Sequence, residues 1–262
     1  KKSSDLHQHD YYSIDKYRKI TFALNDVTDK VFEEGKFKKL PFLKDHVEVC
    51  NETGKLILPL SVDETVTRLI YRKEPKSEKN IILGQRSNGI NDLLNTGDIV
   101  NTMLKDCFTD VDIYNDEVRL LQYPFTSPIS SRTAISFYRY FIVDTLMVDG
   151  KQRCIQVDFT PNNPQDFGFS GSLYIMADGT YRVYKADMGI PVRSDVNFVQ
   201  SMRIIQTFDQ LPTGEQVLVK DNMLVQLHIT KSAGKFQVKR DTEYSNFAFE
   251  PIPDKTFKFK GE

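Results

Sequence analysis

Residues 134–160 read AISFYRYFIVDTLMVDGKQRCIQVDFT, and this stretch decides the fold. Two runs rich in apolar and aromatic residues flank the dipeptide Asp149-Gly150. An Asp-Gly pair between two such runs is a strong signal for a tight β-hairpin, because Asp and Gly tolerate positive φ angles. The stretch therefore predicts a long strand over Ala134–Met147, a turn, and a second strand over Arg153–Thr160.

The same signals recur along the C-terminal half of the chain. The sequence predicts strands at Gly171–Met176, Tyr181–Met188, Arg203–Phe208, Gln216–Thr230 and Lys235–Arg240, with turns at Asp178-Gly179, Thr213-Gly214 and Ala233-Gly234. Residues 134–242 should therefore form one antiparallel sheet of about seven strands in which sequential neighbours pair. A sheet this wide must twist and curl.

The alternation of side chains also predicts which residues of the second strand are buried. Successive side chains point to opposite sides of a sheet, so Ile155, Val157 and Phe159 share one side. We expect this side to face the core, with Gln156 and Asp158 on the opposite side.

The first strand differs because both of its sides are apolar, whereas a sheet with one solvated side carries polar residues there. One side holds Ile135, Phe137, Phe141 and Val143 with Arg139, and the other holds Tyr138, Tyr140 and Ile142. We therefore expect a helix, another sheet layer or a ligand to cover each side. The candidate ligand groove consists of Phe137, Tyr138, Tyr140, Phe141 and Ile142.

The N-terminal half mixes strand and helix signals. Strands are predicted at Lys16–Leu24, Thr65–Arg72 and Asn80–Gln85, and a short helix with Val27, Val31 and Phe32 after an N-cap at Asn25 or Asp26. The apolar residues of Ile90–Phe108 recur at helical spacing, although Gly97 is also compatible with two shorter helices. The predicted fold class is α+β, a curved antiparallel meander of about seven or more strands wrapped around one or two helices.

A chain of 262 residues is long enough for one domain with a large core. We expect a single domain over 1–262, with mixed strands and helices in 1–130, the meander in 131–242 and a C-terminal extension in 243–262. Both ends are abrupt, so we expect any targeting or membrane segment to lie outside the chain.

The charge and the cysteines bear on possible partners and on the redox environment. The net charge is -1, and a nucleic-acid-binding protein would usually carry a basic excess, so no nucleic-acid partner is predicted. The three cysteines Cys50, Cys107 and Cys154 cannot all pair with one another. They are interpreted as small buried apolar residues, with one disulfide and one free thiol as the alternative.

The sequence carries no recognisable catalytic or metal-binding motif. His7 and His9 would need further ligands to hold a metal and are interpreted as part of a disordered terminus. A solvated loop is the interpretation for four acids that lack EF-hand spacing, namely Asp106, Asp110, Asp112 and Asp116. The motifs of serine hydrolases, zinc proteases, phosphate loops and dinucleotide-binding folds are absent from the sequence. No catalytic residue, metal site or cofactor is therefore predicted.

Several short motifs, in their order and spacing, resemble a known family. They are Tyr17-Arg18-Lys19-Ile20, Tyr71-Arg72-Lys73-Glu74-Pro75, the run from Asp144 through Asp149-Gly150 to Pro161, Phe169-Ser170-Gly171, Asp187-Met188, Val196-Asn197-Phe198-Val199 and Tyr244-Ser245-Asn246-Phe247. Together they are similar to the middle region of a large Bacteroidetes family known only as domain of unknown function 5686. The resemblance extends from about Tyr11 to Phe249.

The resemblance implies a location for this segment but no site. Members of the family are thought to combine an N-terminal β-sandwich similar to carboxypeptidase regulatory domains, this region, and a C-terminal outer-membrane barrel. A periplasmic segment attached to the outer membrane is what this implies. The meander is also faintly similar to the lipoprotein-carrier fold, in which a curved sheet holds lipid against helices, and this is an analogy of fold alone.

Three functions are compatible with these observations. The first is a non-catalytic periplasmic domain that binds a hydrophobic ligand, such as a lipid or lipoprotein, in a groove of the curved sheet. The second is a protein-interaction or scaffold domain beneath its own outer-membrane barrel. The third is a hydrolase or metal enzyme, which would require a cleft that joins a His or Cys to a carboxylate.

Overall fold

A computed structural model describes residues 5–89, 109–120, 123–130, 132–190, 199–230 and 234–258. It shows a curved antiparallel sheet of eleven strands, a separate two-stranded sheet and a few short helices. The strands are β1 (Tyr11–Asn25), β2 (Glu48–Val49), β3 (Leu56–Arg72), β4 (Ser77–Gly89), β5 (Glu117–Leu120), β6 (Tyr123–Thr126), β7 (Tyr138–Val148), β8 (Gln152–Pro161), β9 (Ser170–Met176), β10 (Val183–Ile190), β11 (Val199–Gln210), β12 (Gln216–Thr230) and β13 (Gly234–Ala248). The helices are α1 (Lys30–Glu33), α2 (Ala134–Phe137) and α3 (Asp254–Lys258), with 3₁₀-helices at Asp5–Gln8, Gly35–Lys39 and Pro41–His46.

Strands β7 to β13 form a meander in which each strand pairs with its sequence neighbours, and this confirms the predicted sequential pairing over the described residues. Strand β13 continues to Ala248, past the predicted end of the meander at residue 242. Strand β1 pairs with β13 on one side and with β3 on the other, and β2 and β4 both pair with β3. Strands β1 to β4 therefore belong to the same sheet as the meander.

The predicted turn between β7 and β8 is confirmed. Asp149 and Gly150 have φ angles of 52° and 65°, and the Lys151 N–H donates a hydrogen bond to the Val148 carbonyl at 3.0 Å. Two consecutive positive φ angles match the twist of the flanking strands. The second predicted Asp-Gly turn also lies between two strands, β9 and β10, and Gly179 has a φ of 85°.

The main core lies on one side of the large sheet, which we call the inner side. Its members include Ile20, Phe22, Leu173, Ile204, Met223, Val225 and Val238. On β8, Phe159 is buried in this core and Val157 packs against it, while Ile155 is half-buried. The Gln156 Nε2 donates to the Asp158 Oδ1 at 2.9 Å, so these two side chains lie together. The predicted core-facing side is confirmed for Val157 and Phe159.

The predicted strand over Ala134–Met147 is wrong at its start, because the first four residues form helix α2. The side-chain amide and the backbone N–H of Asn162 donate to the carbonyls of Ser136 and Phe137, at 2.7 and 2.8 Å. These two bonds satisfy carbonyl groups at the end of the helical turn. A contact from another part of the chain thus outweighs the local strand signal.

The described residues cover only part of this strand, so a further cover by a helix, another sheet layer or a ligand stays a prediction. Tyr138 is buried and Tyr140 is half-buried, but Phe141 and Ile142 are 53% and 80% exposed, and Val143 is exposed as well. Among the described strands β7 has one neighbour, β8, so it forms an edge of the sheet. An edge position leaves apolar side chains within reach of water.

The predicted N-terminal helix exists, but it begins later than expected. Helix α1 starts at Lys30 with Asp29 at its N-cap, whereas Asn25 still belongs to β1. The predicted helix over 90–108 lies outside the described residues, as does Cys107, so the wrapping of the sheet around that helix stays a prediction. Cys50 and Cys154 are buried and free. None of the helices in the described ranges is long and apolar enough to cross a membrane.

Candidate functional site

A row of polar residues crosses the inner side of the sheet. Gln206 on β11 lies opposite Asp221 on β12, Asp221 lies opposite Thr242 on β13, and Thr242 lies opposite Arg18 on β1. All four are buried. Buried polar groups are stable only when they are hydrogen-bonded, so the partners of this row define a local structure.

The row is held together by a buried ion pair. Arg240, the next inward-facing residue on β13, places its Nη2 at 3.2 Å from both carboxylate oxygens of Asp221. The Gln206 Nε2 donates to the Asp221 Oδ2 at 3.2 Å, and the Arg18 Nε donates to the Thr242 Oγ1 at 3.0 Å. Removing one partner of such a buried pair strongly destabilises a protein, because the remaining charge is buried without compensation.

The segment 109–120 lies across this polar row. The Val111 carbonyl accepts a hydrogen bond from the Gln206 Nε2 at 2.7 Å, and the Thr109 carbonyl accepts one from the Arg240 Nη1 at 2.6 Å. Between these two residues, the side-chain carboxylate of Asp110 accepts hydrogen bonds from Arg18 and from Lys16. The sheet side chains therefore fix the path of this segment.

The acids predicted to form a solvated loop have distinct roles. Burial opposes the ionisation of Asp110, but the Arg18 and Lys16 cations outweigh it and hold the pKa of this carboxyl below its ordinary value. The Asp112 Oδ1 accepts the Tyr114 N–H at 2.8 Å, and the Asp116 Oδ1 accepts the Ser130 hydroxyl at 2.8 Å. Asp106 lies outside the described residues. Asp110 is therefore a structural ion-pair partner as well as a loop residue.

A cavity of about 460 Å³ lies between the polar row and the strand ends. Its polar lining includes Asp110, Asp112, Tyr114 and Gln206. Its apolar wall is formed by Leu6, Tyr12, Ile14, Leu69, Val111, Phe208, Val217, Leu218 and Phe247, with Arg182, Gln216 and Tyr244 completing the lining. This volume lies within the range of small-molecule sites, and the lining combines an apolar body with a few polar groups.

The N-terminal 3₁₀-helix contributes one residue to the lining of the cavity. Leu6 is buried and lines the cavity, and the His7 ring lies 5.1 Å from that of Tyr71. The His9 Nε2 lies 2.6 Å from the Glu215 Oε1, and the His9 ring stacks on that of Phe249 at 3.8 Å. The prediction that His7 and His9 belong to a disordered terminus is therefore wrong, because aromatic and polar contacts hold this helix.

Two tyrosines of the lining carry perturbed hydroxyl groups. Burial raises the pKa of Tyr244, and the carboxylates of Asp110 and Asp221 raise it further. Burial likewise raises the pKa of Tyr12, whose hydroxyl lies 3.3 Å from the His7 Nε2. Both hydroxyls are therefore neutral at physiological pH.

The groove predicted from the sequence lies elsewhere. The rings of Phe137, Tyr138 and Tyr140 pack together, with centroids 4.7 and 6.3 Å apart, and Tyr138 and Tyr140 donate to the carbonyls of Thr126 and Pro128. Phe141 and Ile142 are exposed on β7. The structure brings three of the five residues together, and none of the five lines the cavity. Ligand binding by these residues stays a prediction.

Sequence reasoning missed Gln206, Asp221 and Arg240, although each leaves a signal. On β11, Gln206 lies two positions from Ile204 and from Phe208, so it faces the core as they do. A polar residue in the apolar phase of a strand indicates a buried polar contact. The cross-strand register that joins the three is a long-range property and leaves no local pattern.

Metal and catalytic groups are sparse in the parts of the chain that the structure describes. No cluster of three or more His, Cys, Asp or Glu side chains occurs there. His9 contacts Glu215, and the Cys50 thiol donates to the Glu52 carboxylate at 3.2 Å, but neither pair lines the cavity.

The chain has weak similarity to several solved structures. A LolA superfamily protein, NE2245 from Nitrosomonas europaea, is 12% identical with a TM-score of 0.28, over 94% of this chain and 89% of that chain. Lipovitellin, solved in a study of lipid–protein interactions, is 8% identical with a TM-score of 0.26, over 92% of this chain and 26% of that chain. MucB in complex with MucA(peri) is 9% identical with a TM-score of 0.17, over 94% and 95% of the two chains.

These TM-scores are too low for the likenesses to support an inference about this chain. No curated protein matches the sequence. The model of one family, described as a family of unknown function (DUF5686), matches residues 1–247, which confirms the resemblance found in the sequence motifs. The chain therefore belongs to the DUF5686 family.

Proposed function

We propose that this chain is a non-catalytic domain that binds a lipid or another hydrophobic ligand in the cavity between the polar row and the Asp5–Gln8 helix. The observation that carries the proposal is the cavity of about 460 Å³, which is lined by many apolar side chains and a few polar ones. Binding sites for small molecules are of this size and composition. Burying an acyl chain would contribute ~0.8 kcal/mol per methylene group.

The proposal is tested by filling the cavity. In Leu69→Trp the larger side chain occupies space at the apolar wall, and in the matched control Ile142→Trp the same residue is placed on exposed β7. A fluorescent fatty-chain probe should bind the wild type and the control alike. Its affinity for Leu69→Trp should fall at least about tenfold.

The control also locates the ligand. If Ile142→Trp weakens the probe and Leu69→Trp does not, the ligand lies in the groove predicted from the sequence. If the wild type binds no probe and native mass spectrometry of detergent-free protein shows no lipid, the proposed function is wrong.

The cellular setting and the covering helix are further parts of the proposal. The DUF5686 resemblance supports a periplasmic segment attached to the outer membrane, where a lipoprotein would supply the acyl chain. Fractionation of cells that produce the full-length protein tests the location, and recovery in the cytoplasm would contradict it. The apolar periodicity of 90–108 supports a helix around which the sheet wraps, and hydrogen exchange of that segment tests it.

The second candidate function is protein interaction through β7. The edge position of β7 and its exposed Phe141, Ile142 and Val143 favour it, because exposed apolar patches mark contact surfaces. The proposed partner is another region of the same full-length protein. A photo-crosslinker at position 142 should then capture that region, whereas a crosslinker at Glu243, which is exposed on β13, should not.

A further inference from the structure

A second cleft lies on the other side of the large sheet, which we call the outer side. It has a volume of about 270 Å³, and its lining includes Arg203, Ile205, Leu224 and Lys239. The sequence neighbours Ile204, Val225 and Val238 belong to the main core on the inner side. Because successive side chains of a strand point to opposite sides, the four lining side chains point to the outer side. This outer cleft is therefore separate from the cavity described above.

The strand register places an apolar residue at the centre of the outer cleft. Leu224 on β12 lies opposite Arg203 on β11 and opposite Lys239 on β13. Leu224 and Ile205 are half-buried, so both keep part of their surface open to solvent. Glu52, from the turn that follows β2, also contributes to the lining. An apolar centre with a polar rim is typical of a pocket that receives one anchoring side chain of a partner protein.

The cations of the rim are already paired with carboxylates. The Lys239 Nζ lies 2.5 Å from the Glu52 Oε1 and 3.7 Å from the Asp241 Oδ2. The Arg203 Nε and Nη2 donate to the two carboxylate oxygens of Asp187 at 2.9 and 2.6 Å. A charged ligand would lose its hydration here without gaining an uncompensated opposite charge. The outer cleft therefore favours an uncharged group.

The guanidinium group of Arg203 keeps one nitrogen for a ligand. Asp187 occupies the edge formed by Nε and Nη2, so the Nη1 lies at the opposite corner of the planar group. Asp187 is on β10, whereas Leu224 is on β12, on the other side of β11. The Arg203 side chain is 53% exposed, and its Nη1 makes no hydrogen bond to the described residues. The Nη1 is therefore a donor for an uncharged acceptor that rests on Leu224.

We propose that the outer cleft docks a partner protein through one tyrosine side chain. The volume lies below the range of about 300–1,000 Å³ that complete small-molecule sites occupy, so the cleft suits a single side chain. A tyrosine ring supplies an apolar face for Leu224, and its uncharged hydroxyl accepts a hydrogen bond from the Arg203 Nη1. The proposal does not depend on the proposed function, because the two sites lie on opposite sides of the sheet.

The test compares N-acetyltyrosinamide with N-acetylphenylalaninamide, which lacks the hydroxyl group. Each is titrated into protein with ¹³C-labelled Ile and Leu methyl groups. The tyrosine derivative should shift the methyl signals of Ile205 and Leu224 with a Kd on the order of 1 mM. The phenylalanine derivative should bind about three- to tenfold more weakly, because one hydrogen bond is missing. Equal affinities, no shifts, or shifts confined to cavity residues such as Leu69 would overturn the proposal and leave the proposed function intact.

Two variants assign the preference to one nitrogen. Arg203→Lys keeps the positive charge beside Asp187 but removes the Nη1, so both derivatives should bind it equally weakly, with the Ile205 methyl signals as the measure. Arg153→Lys is the matched control, because Arg153 is an exposed arginine of β8 outside the lining. The control should keep the preference for the tyrosine derivative. A preference that survives in Arg203→Lys would overturn the role of Arg203.

Discussion

Strand β7 exposes apolar residues, whereas strand β11 buries a polar one. Strand β7 leaves Phe141 and Ile142 in contact with water, whereas β11 buries Gln206 almost completely. Strand β7 has one described neighbour, while β11 lies between β10 and β12 under the segment 109–120. The position of a strand in the sheet, rather than the hydropathy of a residue, therefore determines exposure in this fold.

The largest effect should come from the charges beneath the interior strands. Arg240→Met leaves Asp221 buried without its partner and should lower the free energy of unfolding by about 3–5 kcal/mol. The control Arg139→Met removes an exposed arginine of β7 and should change it by less than about 0.5 kcal/mol. Urea denaturation measures both values.

A double variant sharpens this comparison. Asp221→Leu combined with Arg240→Met removes both charges, so much of the lost free energy of unfolding should return. A double variant as unstable as Arg240→Met would show that the loss came from packing instead of from the uncompensated carboxylate.

A smaller effect should come from shortening one apolar side chain in each strand. Ile204 on β11 is fully buried, so Ile204→Val should lower the free energy of unfolding by about 0.5–1.5 kcal/mol. Ile142→Val on β7 should change it by less than about 0.5 kcal/mol, because that side chain is exposed. Equal losses would mean that β7 is covered in solution.

The smallest effect should be the acid dependence of the segment above β11. The pKa of Asp110 in the folded protein lies below the ordinary value of 3.8, so its carboxylate stabilises the fold above that pH. This contribution is lost as the pH falls through the lowered pKa. The free energy of unfolding of Asp110→Asn should therefore fall less steeply with acid than that of the wild type, and identical slopes would contradict the ion pairs with Arg18 and Lys16.

The meander could be predicted because its signals are local. The Asp149-Gly150 and Asp178-Gly179 pairs fix turns through backbone preference, and alternation then gives the strands between them. Helix α2 could not be predicted, because its carbonyls are satisfied by Asn162, which follows β7 and β8 in the sequence. Local preference is overridden where a distant residue supplies the hydrogen bonds.

The candidate cavity could be predicted less well than the sheet. The aromatic strand at Phe137–Ile142 attracted attention because it is apolar on both sides, yet the cavity is built from β1, β3, β11, β12 and β13. Gln206 and Arg18 come together only through three pairings, of β1 with β13, of β13 with β12 and of β12 with β11. Such register depends on residues far apart in the chain, which no local periodicity encodes.

The pairing of β1 with β13 constrains the order in which the chain can fold. Ser13 lies opposite Ala248, so one edge of β1 must wait until the ribosome has passed residue 248. Strands β1, β3 and β4 are close in sequence and can pair early, whereas a ribosome at ~5–20 residues per second needs tens of seconds to reach β13. During that interval β1 presents unpaired backbone groups and the apolar Ile20, Phe22 and Leu24. A nascent chain of this topology is thus exposed to mispairing and aggregation until β13 emerges.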